Sequence, residues 1–279
     1  CRTGLKAQSC TGRPDPTGDG FDIDYVAHEI GHEFGANHPF NNGKDKSCGG
    51  ANINPPTAYE PGSGSTIMAY AGICSPDNIQ LHSDAYFHSV NLIEIQDFIT
   101  GNGNGCAVKT PTNNAPVTLA SFTRSYNIPY LTPFELTAPT VADTSATYCW
   151  EQWNLGATGA RLAETYTDGP IFRSYTPVAG TTRVFPKLDM ILKGVLSNAG
   201  IDNASGEKAP DAARFLTFKV AVRNVKGGKG CFLVPDDTLH LDVINTRYLN
   251  PCGVNETEIH WAYFGRADDD EAIARHRVR

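Results

Sequence analysis

Three histidines and a glutamate are spaced so that they could form a metal centre that activates water. They are His28, Glu29, His32 and His38. Residues four apart on an α-helix lie one turn apart on the same face, so His28 and His32 would present their imidazoles together. Three neutral imidazoles leave a fourth zinc position for water, as in catalytic zinc sites. Glu29 could then take a proton from that water as general base.

A helix must carry the first two histidines, and the sequence predicts one that begins at Asp22 and ends at Gly35. The Asp22 carboxylate could cap free N–H groups of the first turn. Gly35 tolerates a positive φ, so the chain could turn back and deliver His38 as the third ligand. Apolar residues recur at helical spacing and predict a core face opposite the histidines: Ile23, Val26, Ala27, Ile30 and Phe34.

The eleven residues from His28 to His38 resemble the signature of the metzincin zinc metalloendopeptidases. That clan has a methionine in a tight turn beneath the metal, and the segment 65–70 supplies Met68. The resemblance implies that Met68 forms an apolar floor under the histidines, although taken alone it would be an ordinary core residue. It also implies that Tyr70 could swing onto the metal or steady the tetrahedral intermediate, with plain packing as the alternative.

Further segments are similar to bacterial, secreted, reprolysin-like peptidases that carry an added β-sandwich. These segments are 60–68, 84–88 and 147–152, and the resemblance extends over roughly residues 1–245. Only 27 residues precede His28, which is too few for the upper subdomain of a metzincin catalytic domain. We therefore expect either that a second chain supplies the N-terminal half of this domain or that the sequence is partial.

The remaining helix and the domain boundaries follow from composition. A second helix is predicted from Ser83, its cap, to Thr100, with Gly101 as its stop signal. The Gly-, Asn- and Pro-rich stretch after it is the clearest break in composition. The predicted units are a metzincin catalytic domain lacking most of its upper subdomain (1–108), a linker (109–116), a β-sandwich accessory domain (117–248) and a tail of unknown structure (249–279).

Beyond the linker the apolar pattern changes to the period of two that is typical of strands. The alternating rows are Phe134, Leu136 and Ala138; Tyr148, Trp150 and Gln152; Leu216, Phe218, Val220 and Val222; and Leu239, Leu241 and Val243. Several short strands with turns between them indicate an antiparallel sandwich. The predicted fold class is thus the C-terminal part of an α+β metzincin domain, with zinc helix, Met-turn and C-terminal helix, followed by an all-β Ig/PKD-like sandwich.

The cysteines indicate where the protein works. There are eight, with no Cys-x-x-Cys pair, at positions 1, 10, 48, 74, 106, 149, 231 and 252. An even number at such spacings predicts disulfides and an oxidising, extracellular location, with buried free thiols as the alternative. The sequons at Asn203 and Asn255 permit glycosylation.

Net charge and hydropathy limit the classes of partner that the protein is expected to have. The net charge of −7 gives no reason to expect nucleic acid, and no apolar run approaches the roughly 18–20 residues of a membrane span. Protein or peptide substrates are the expected partners. Glu60 and Asp84 could hold calcium, although a solvated surface is the plainer interpretation.

Two further histidines and two tryptophans are candidates for structural or binding roles. His82 and His88 are six residues apart, which is not a one-face spacing, so structural roles are predicted. Trp150 is expected in the core, whereas Trp153 could be an exposed sugar-binding ring.

The leading hypothesis is a secreted zinc-dependent endopeptidase with one catalytic zinc ion and Glu29 as general base. The alternative is an extracellular structural or adhesive protein that retains a metzincin fold without proteolytic activity. The β-sandwich could serve substrate docking, folding support or surface attachment, and its sequence does not choose among these roles.

Overall fold

The computed structural model describes residues 9–44, 46–105, 107–115, 117–194, 196, 206–226, 229–244, 247–251 and 257–261. It is a mixed α/β structure with few helices. Helices and short turns form the metal half, up to about residue 105, and strands dominate the remainder, which we call the β-rich half. Residues 107–115 contain no helix or strand, and the predicted domain limits stay a prediction. Within the described residues, no helix is long and apolar enough to cross a bilayer.

The helix that carries the first two histidines begins at Asp19, so the prediction of a start at Asp22 was wrong. It has three consecutive parts: α1 (Asp19–Phe21), a π-helical turn (Asp22–Ala27) and α2 (His28–Glu33). The carbonyl of Gly18 accepts hydrogen bonds from the N–H groups of Phe21 and Asp22, at 2.8 and 2.9 Å. Asp22 therefore lies inside the helix, where its side chain makes no capping hydrogen bond.

The predicted core face of this helix is correct only in its first part. Ile23 and Ala27 pack against the buried cluster that contains Met68. Ile30 and Phe34 are instead 47% and 43% exposed. A π-helical turn closes its hydrogen bond over one more residue than an α-turn, so side chains after it rotate away from the stripe that an α-helical count predicts.

The second helix, α3 (Ser89–Thr100), begins six residues later than predicted but ends before Gly101 as predicted. Its cap is His88, whose Nδ1 accepts the N–H of Val90 at 3.2 Å. Ser83 lies outside the helix, because its N–H donates to the carboxylate of Asp24 at 2.7 Å. Asp24 lies on the helix that carries the first two histidines.

Between these helices the chain forms three short 3₁₀ turns, Lys46–Cys48, Gly50–Asn52 and Pro55–Thr57. A disulfide joins Cys48 to Cys74, as expected for an oxidising compartment. The predicted disulfide pairing does not extend to Cys10, Cys149 and Cys231, which are free thiols.

The surroundings of Cys149 explain why its thiol is free. Its thiol is buried and lies 3.4 Å from the Ser174 hydroxyl and 3.2 Å from the Tyr175 carbonyl, and it packs in a cluster with Tyr86 and Ala221. Burial raises the pKa of Cys149 to about 12. The predictions for Cys1, Cys106, Cys252, Asn203 and Asn255 concern residues outside the described part of the chain.

The β-rich half is built on a five-stranded sheet. The strands among the described residues are β1 (Arg124–Pro129), β2 (Phe134–Thr137), β3 (Thr147–Gln152), β4 (Thr182–Phe185), β5 (Arg214–Lys226), β6 (Lys229–Leu233), β7 (Leu239–Ile244), β8 (Arg247–Pro251) and β9 (Thr257–Trp261). The large sheet has the order β1-β7-β5-β3, with β6 also paired to β5. The alternating rows predicted from sequence lie in β2, β3, β5 and β7. A fully antiparallel arrangement was wrong, because β1 pairs with β7 in parallel.

Two smaller pairs accompany the sheet. Strands β2 and β4 form a ribbon, and β8 pairs with β9 where a tail of unknown structure was predicted. A short helix, α4 (Leu188–Leu192), follows β4. The ribbon packs on the sheet through aromatic rings, with the ring centroid of Phe218 4.8 Å from that of Phe185 and 5.6 Å from that of Phe134. An Ig/PKD-like sandwich stays a prediction.

The centre of the large sheet is buried on both faces, not on one as its alternation predicts. Phe218 and Val220 on β5 face the ribbon side, and both are fully buried. Ala221, between Val220 and Val222, is also fully buried, because it packs with Tyr86 of the metal half. The metal half therefore covers the second face of the sheet.

Trp150 lies on the ribbon side of the large sheet, and Trp153 lies on the side of the metal half. Trp150 is buried in the core as predicted, with its ring edge-on to Phe122 and its Nε1 donating to the Thr181 carbonyl at 2.9 Å. Trp153 is not an exposed ring: it stacks on Tyr59 of the metal half with a centroid distance of 4.4 Å. A sugar-binding platform at Trp153 is therefore not formed.

Glu151 on β3 is the centre of a buried polar junction between the two halves. Its carboxylate accepts the Ser89 N–H at 2.8 Å and the Ser174 hydroxyl at 2.6 Å, and His88 Nε2 lies 3.7 Å away. Burial alone would raise the pKa of Glu151, but His88, Arg223 and these hydrogen bonds outweigh it and lower the pKa. The β-rich half thus places a negative charge at the N-terminus of α3, where the helix dipole favours one.

Replacing Glu151 with alanine should lower the free energy of unfolding by about 3 kcal/mol, because the Ser89 N–H and the Ser174 hydroxyl lose a buried charged acceptor. Urea unfolding of the full chain measures this change. Glu135→Ala, which removes an exposed carboxylate from β2, is the control and should cost less than about 0.5 kcal/mol. Equal stability of the two variants would contradict the role of the junction.

Candidate metal centre

The three predicted histidines come together. His28 and His32 extend from α2, and His38 follows the turn after it. The Nε2 atom of His38 lies 3.2 Å from that of His28 and 3.0 Å from that of His32. Two nitrogens on one tetrahedral zinc ion, at about 2.0–2.1 Å from the metal, are about 3.3 Å apart. Among the described residues, no other group of His, Cys, Asp or Glu converges in this way.

The opposite ring nitrogen of each histidine lies at a backbone carbonyl. His28 Nδ1 is 2.8 Å from the Ile67 oxygen, and His32 Nδ1 is 2.8 Å from the Ala36 oxygen. His38 Nδ1 is 2.5 Å from the Asn52 oxygen. A carbonyl oxygen only accepts, so each Nδ1 carries the proton and donates it. Each Nε2 then keeps its lone pair directed at the common centre, which is the arrangement of metal-bound imidazoles.

The protonation states also suit a metal. Burial lowers the pKa of His28 to about 4 and that of His38 to about 4, and the hydrogen bonds to Ile67 and Asn52 oppose this only in part. Neutral imidazoles at pH 7 bind a divalent ion without first releasing a proton. Three neutral nitrogen donors of this kind fit zinc.

Met68 lies beneath α2 and is fully buried, in a cluster with Ala36 and Ile67. The helix can approach it because residue 31 is glycine: a Cβ there would overlap Met68 Sδ. Gly31 was not singled out from the sequence. The available signal is a glycine inside a helix, which costs roughly 1 kcal/mol relative to alanine and so suggests a packing constraint.

Gly35 makes the turn that was expected of it. Its φ is +86°, a conformation that other residues adopt only with strain. The Gly35 N–H donates to the His32 carbonyl and the Ala36 N–H to the Gly31 carbonyl, both at 3.0 Å. The chain therefore leaves α2 sharply and returns toward the two helical histidines.

Tyr70 packs directly on the histidines. Its ring centroid lies 4.5 Å from that of His38, 5.6 Å from that of His28 and 4.8 Å from that of Phe40. Burial, with a smaller contribution from the Glu29 charge, raises the pKa of Tyr70. The hydroxyl is thus a neutral donor near the site, and its action on substrate stays a prediction.

Glu29 lies on α2 directly after His28 and is half-buried. Its carboxylate makes no hydrogen bond or ion pair with the described residues. The electrostatic effect of Glu29 on Tyr70 places the two groups near each other. Glu29 is therefore available for proton transfer, and its role as general base stays a prediction.

The two carboxylates considered for calcium are both held by protein groups. Glu60 is fully buried, contrary to the expected solvated surface, and accepts the Ser65 N–H at 2.9 Å and the Thr66 hydroxyl at 2.5 Å. Burial raises the pKa of Glu60. Asp84 lies 3.3 Å from the guanidinium of Arg173. These contacts give calcium no support, and its binding stays untested.

His82 and His88 have structural positions, as predicted. His88 caps α3, as described above. His82 is exposed, with Nδ1 2.7 Å from the carboxylate of Asp24.

The comparison with known families supports a metzincin-type, reprolysin-like metallopeptidase. The model of the family described as "Metallo-peptidase family M12B Reprolysin-like" matches residues 3–97. That segment contains the three histidines, Glu29 and Met68. The family implies a zinc-dependent hydrolase. No curated protein and no solved structure matches the chain.

Gly31→Ala should destabilise the protein by about 1–3 kcal/mol, since the added methyl group forces the buried Met68 side chain aside. Thermal unfolding of the zinc-free protein measures this cost. Gly12→Ala is the control, because nothing lies within 4 Å of a Cβ at Gly12.

The same contact can be isolated by a double-mutant cycle with Met68→Ala. Because that change removes the sulfur that the new methyl group meets, the two substitutions together should cost at least about 1 kcal/mol less than their sum. Additive costs would show that Gly31 and Met68 do not constrain each other.

Proposed function

We propose that this protein is a secreted zinc-dependent endopeptidase. The observation that carries the proposal is the convergence of three Nε2 atoms, each with its Nδ1–H engaged by a carbonyl, beside the helix that carries Glu29. A surface cluster of histidines has no need of three separate carbonyl partners. The reprolysin-like family of residues 3–97 supports the reaction class.

Each residue has a distinct part in this proposal. His28, His32 and His38 would hold zinc, which supplies a Lewis acid that polarises a peptide carbonyl and makes water acidic near neutral pH. Glu29 takes the proton of the attacking water and gives it to the leaving amine. Tyr70, neutral at pH 7, donates a hydrogen bond to the developing oxyanion. Met68 supports the histidines from below.

Secretion and substrates follow from other features. The Cys48–Cys74 disulfide supports an oxidising compartment. Unfolded proteins or extended peptides are the proposed substrates. A protein chain that packs on the exposed, apolar side chains of Ile30 and Phe34 is a proposed partner.

Among the three roles considered for the β-rich half, its contacts favour folding support. Glu151 and Arg223 both bond to the chain around the start of α3: Glu151 accepts the Ser89 N–H at 2.8 Å, and Arg223 donates to the Phe87 carbonyl at 2.8 Å. Such buried contacts stabilise the metal half in a way that a tethered docking module would not.

The alternative is an extracellular structural or adhesive protein with an inactive metzincin fold. In such a protein the histidines could remain for stability, but the carboxylate of Glu29 would have no function. The unbonded, half-buried Glu29 therefore favours the enzyme.

Glu29→Gln should bind one zinc ion per chain as the wild type does, yet cleave an unfolded protein at least about 100-fold more slowly, because the base is lost. Metal analysis and cleavage of a denatured, fluorescently labelled protein measure the two properties. Asp22→Asn removes an exposed carboxylate from the same helix and serves as the control, with unchanged cleavage.

Two results would reject the proposal. Undiminished cleavage by Glu29→Gln would exclude Glu29 as the base. A wild-type protein that binds zinc but cleaves no unfolded protein would favour the structural alternative.

A further inference from the structure

The residue before the third histidine is held by two side chains of α3. The backbone N–H of Asn37 donates to Glu94 Oε2 at 2.9 Å, and its side-chain Nδ2 donates to Glu94 Oε1 at 2.6 Å. The Asn37 carbonyl accepts a hydrogen bond from Asn91 Nδ2 at 2.8 Å. Both polar backbone groups of Asn37 and its side chain are therefore fixed by the same helix.

Asn91 and Glu94 act as one unit. They are three residues apart on α3 and so lie on the same face. Asn91 Nδ2 also donates to Glu94 Oε2, at 3.0 Å, which orients the carboxylate toward Asn37. Asn91 is fully buried, whereas Glu94 is half-buried.

The third histidine needs such support more than the other two. His28 and His32 are fixed by the hydrogen bonds of α2, but His38 lies outside any helix or strand. On its C-terminal side, the His38 carbonyl accepts the Thr57 hydroxyl at 2.7 Å. On its N-terminal side, the contacts of Asn37 with α3 perform the corresponding task.

Glu94 is not itself a metal ligand, because among the described residues only the three histidines converge. Its carboxylate accepts three hydrogen bonds, from the Asn37 N–H, the Asn37 side chain and the Asn91 side chain. Charged hydrogen bonds of this kind are among the stronger ones in proteins and hold geometry well.

We propose that Glu94, oriented by Asn91, is a positioning residue of the metal centre: it fixes the Asn37 peptide and thereby places His38 Nε2 against the other two imidazoles. This inference rests on the metal-binding part of the proposed function and not on peptide cleavage. It assigns α3 a direct part in metal affinity.

The test compares three variants of the full chain. Glu94→Ala removes all three hydrogen bonds and should weaken zinc binding about 10–100-fold, the usual effect of losing a group that orients a ligand. The zinc affinity of Glu94→Gln should stay within about threefold of wild type. The glutamine oxygen accepts the Asn37 N–H, and the glutamine NH₂ group donates to Asn37 Oδ1 once the Asn37 side-chain amide flips. Asp97→Ala, on the exposed side of α3, is the control and should bind as wild type does.

Zinc affinity is measured by competition with a chelating dye, and the visible spectrum of the cobalt-substituted protein reports ligand geometry. Thermal unfolding of each zinc-free variant checks that it is folded. If Glu94→Ala does not fold, Asn37→Ala replaces it: that variant loses only the side-chain bond and should still weaken zinc binding and alter the cobalt spectrum.

The outcomes separate this inference from the proposed function. If Glu94→Ala leaves zinc affinity and the cobalt spectrum unchanged, the positioning role is overturned while the metal site stands. The same holds for Asn37→Ala where that variant replaces it. A loss in Glu94→Gln as large as in Glu94→Ala would also overturn it, by showing that charge and not hydrogen bonding matters. A wild-type chain without zinc affinity would overturn both proposals at once.

Discussion

The metal half is organised around three hydrogen bonds in which histidine Nδ1–H groups donate to backbone carbonyls. Those carbonyls belong to three separate segments, at Ala36, Asn52 and Ile67. Each segment must therefore be fixed independently before the three Nε2 atoms can converge. The turn at Gly35 places the first, the Cys48–Cys74 disulfide lies beside the second, and the buried Glu60 carboxylate holds the chain just before the third.

The β-rich half takes part in the same construction. Its large sheet is covered on one face by the β2–β4 ribbon and on the other by the metal half. Through Glu151 it reaches the first residue of α3, and α3 in turn bonds to Asn37, the neighbour of the third histidine. A continuous series of hydrogen-bonded elements thus connects the sheet with the metal centre, which is consistent with a structural role for this half.

The sequence predicted the local features well and the tertiary ones poorly. His28, His32 and Gly35 follow from helical spacing and backbone freedom, and strands such as β5 follow from alternation. The exposure of Ile30 could not be predicted, because a π-helical turn breaks the α-helical count.

The features that sequence did not reveal depend on contacts between distant residues. The cap of α3 is a histidine, a residue type that rarely caps helices, and Glu94 meets Asn37 across 57 positions. The parallel pairing of β1 with β7 and the solitary Cys149 thiol likewise depend on which segments meet in space.

X-ray absorption at the zinc edge of the purified protein tests the central claim most directly. It should show one zinc per chain with three nitrogen ligands at about 2.0–2.1 Å and one further light-atom ligand, whereas absent zinc, or a sulfur ligand near about 2.3 Å, would contradict a three-histidine centre.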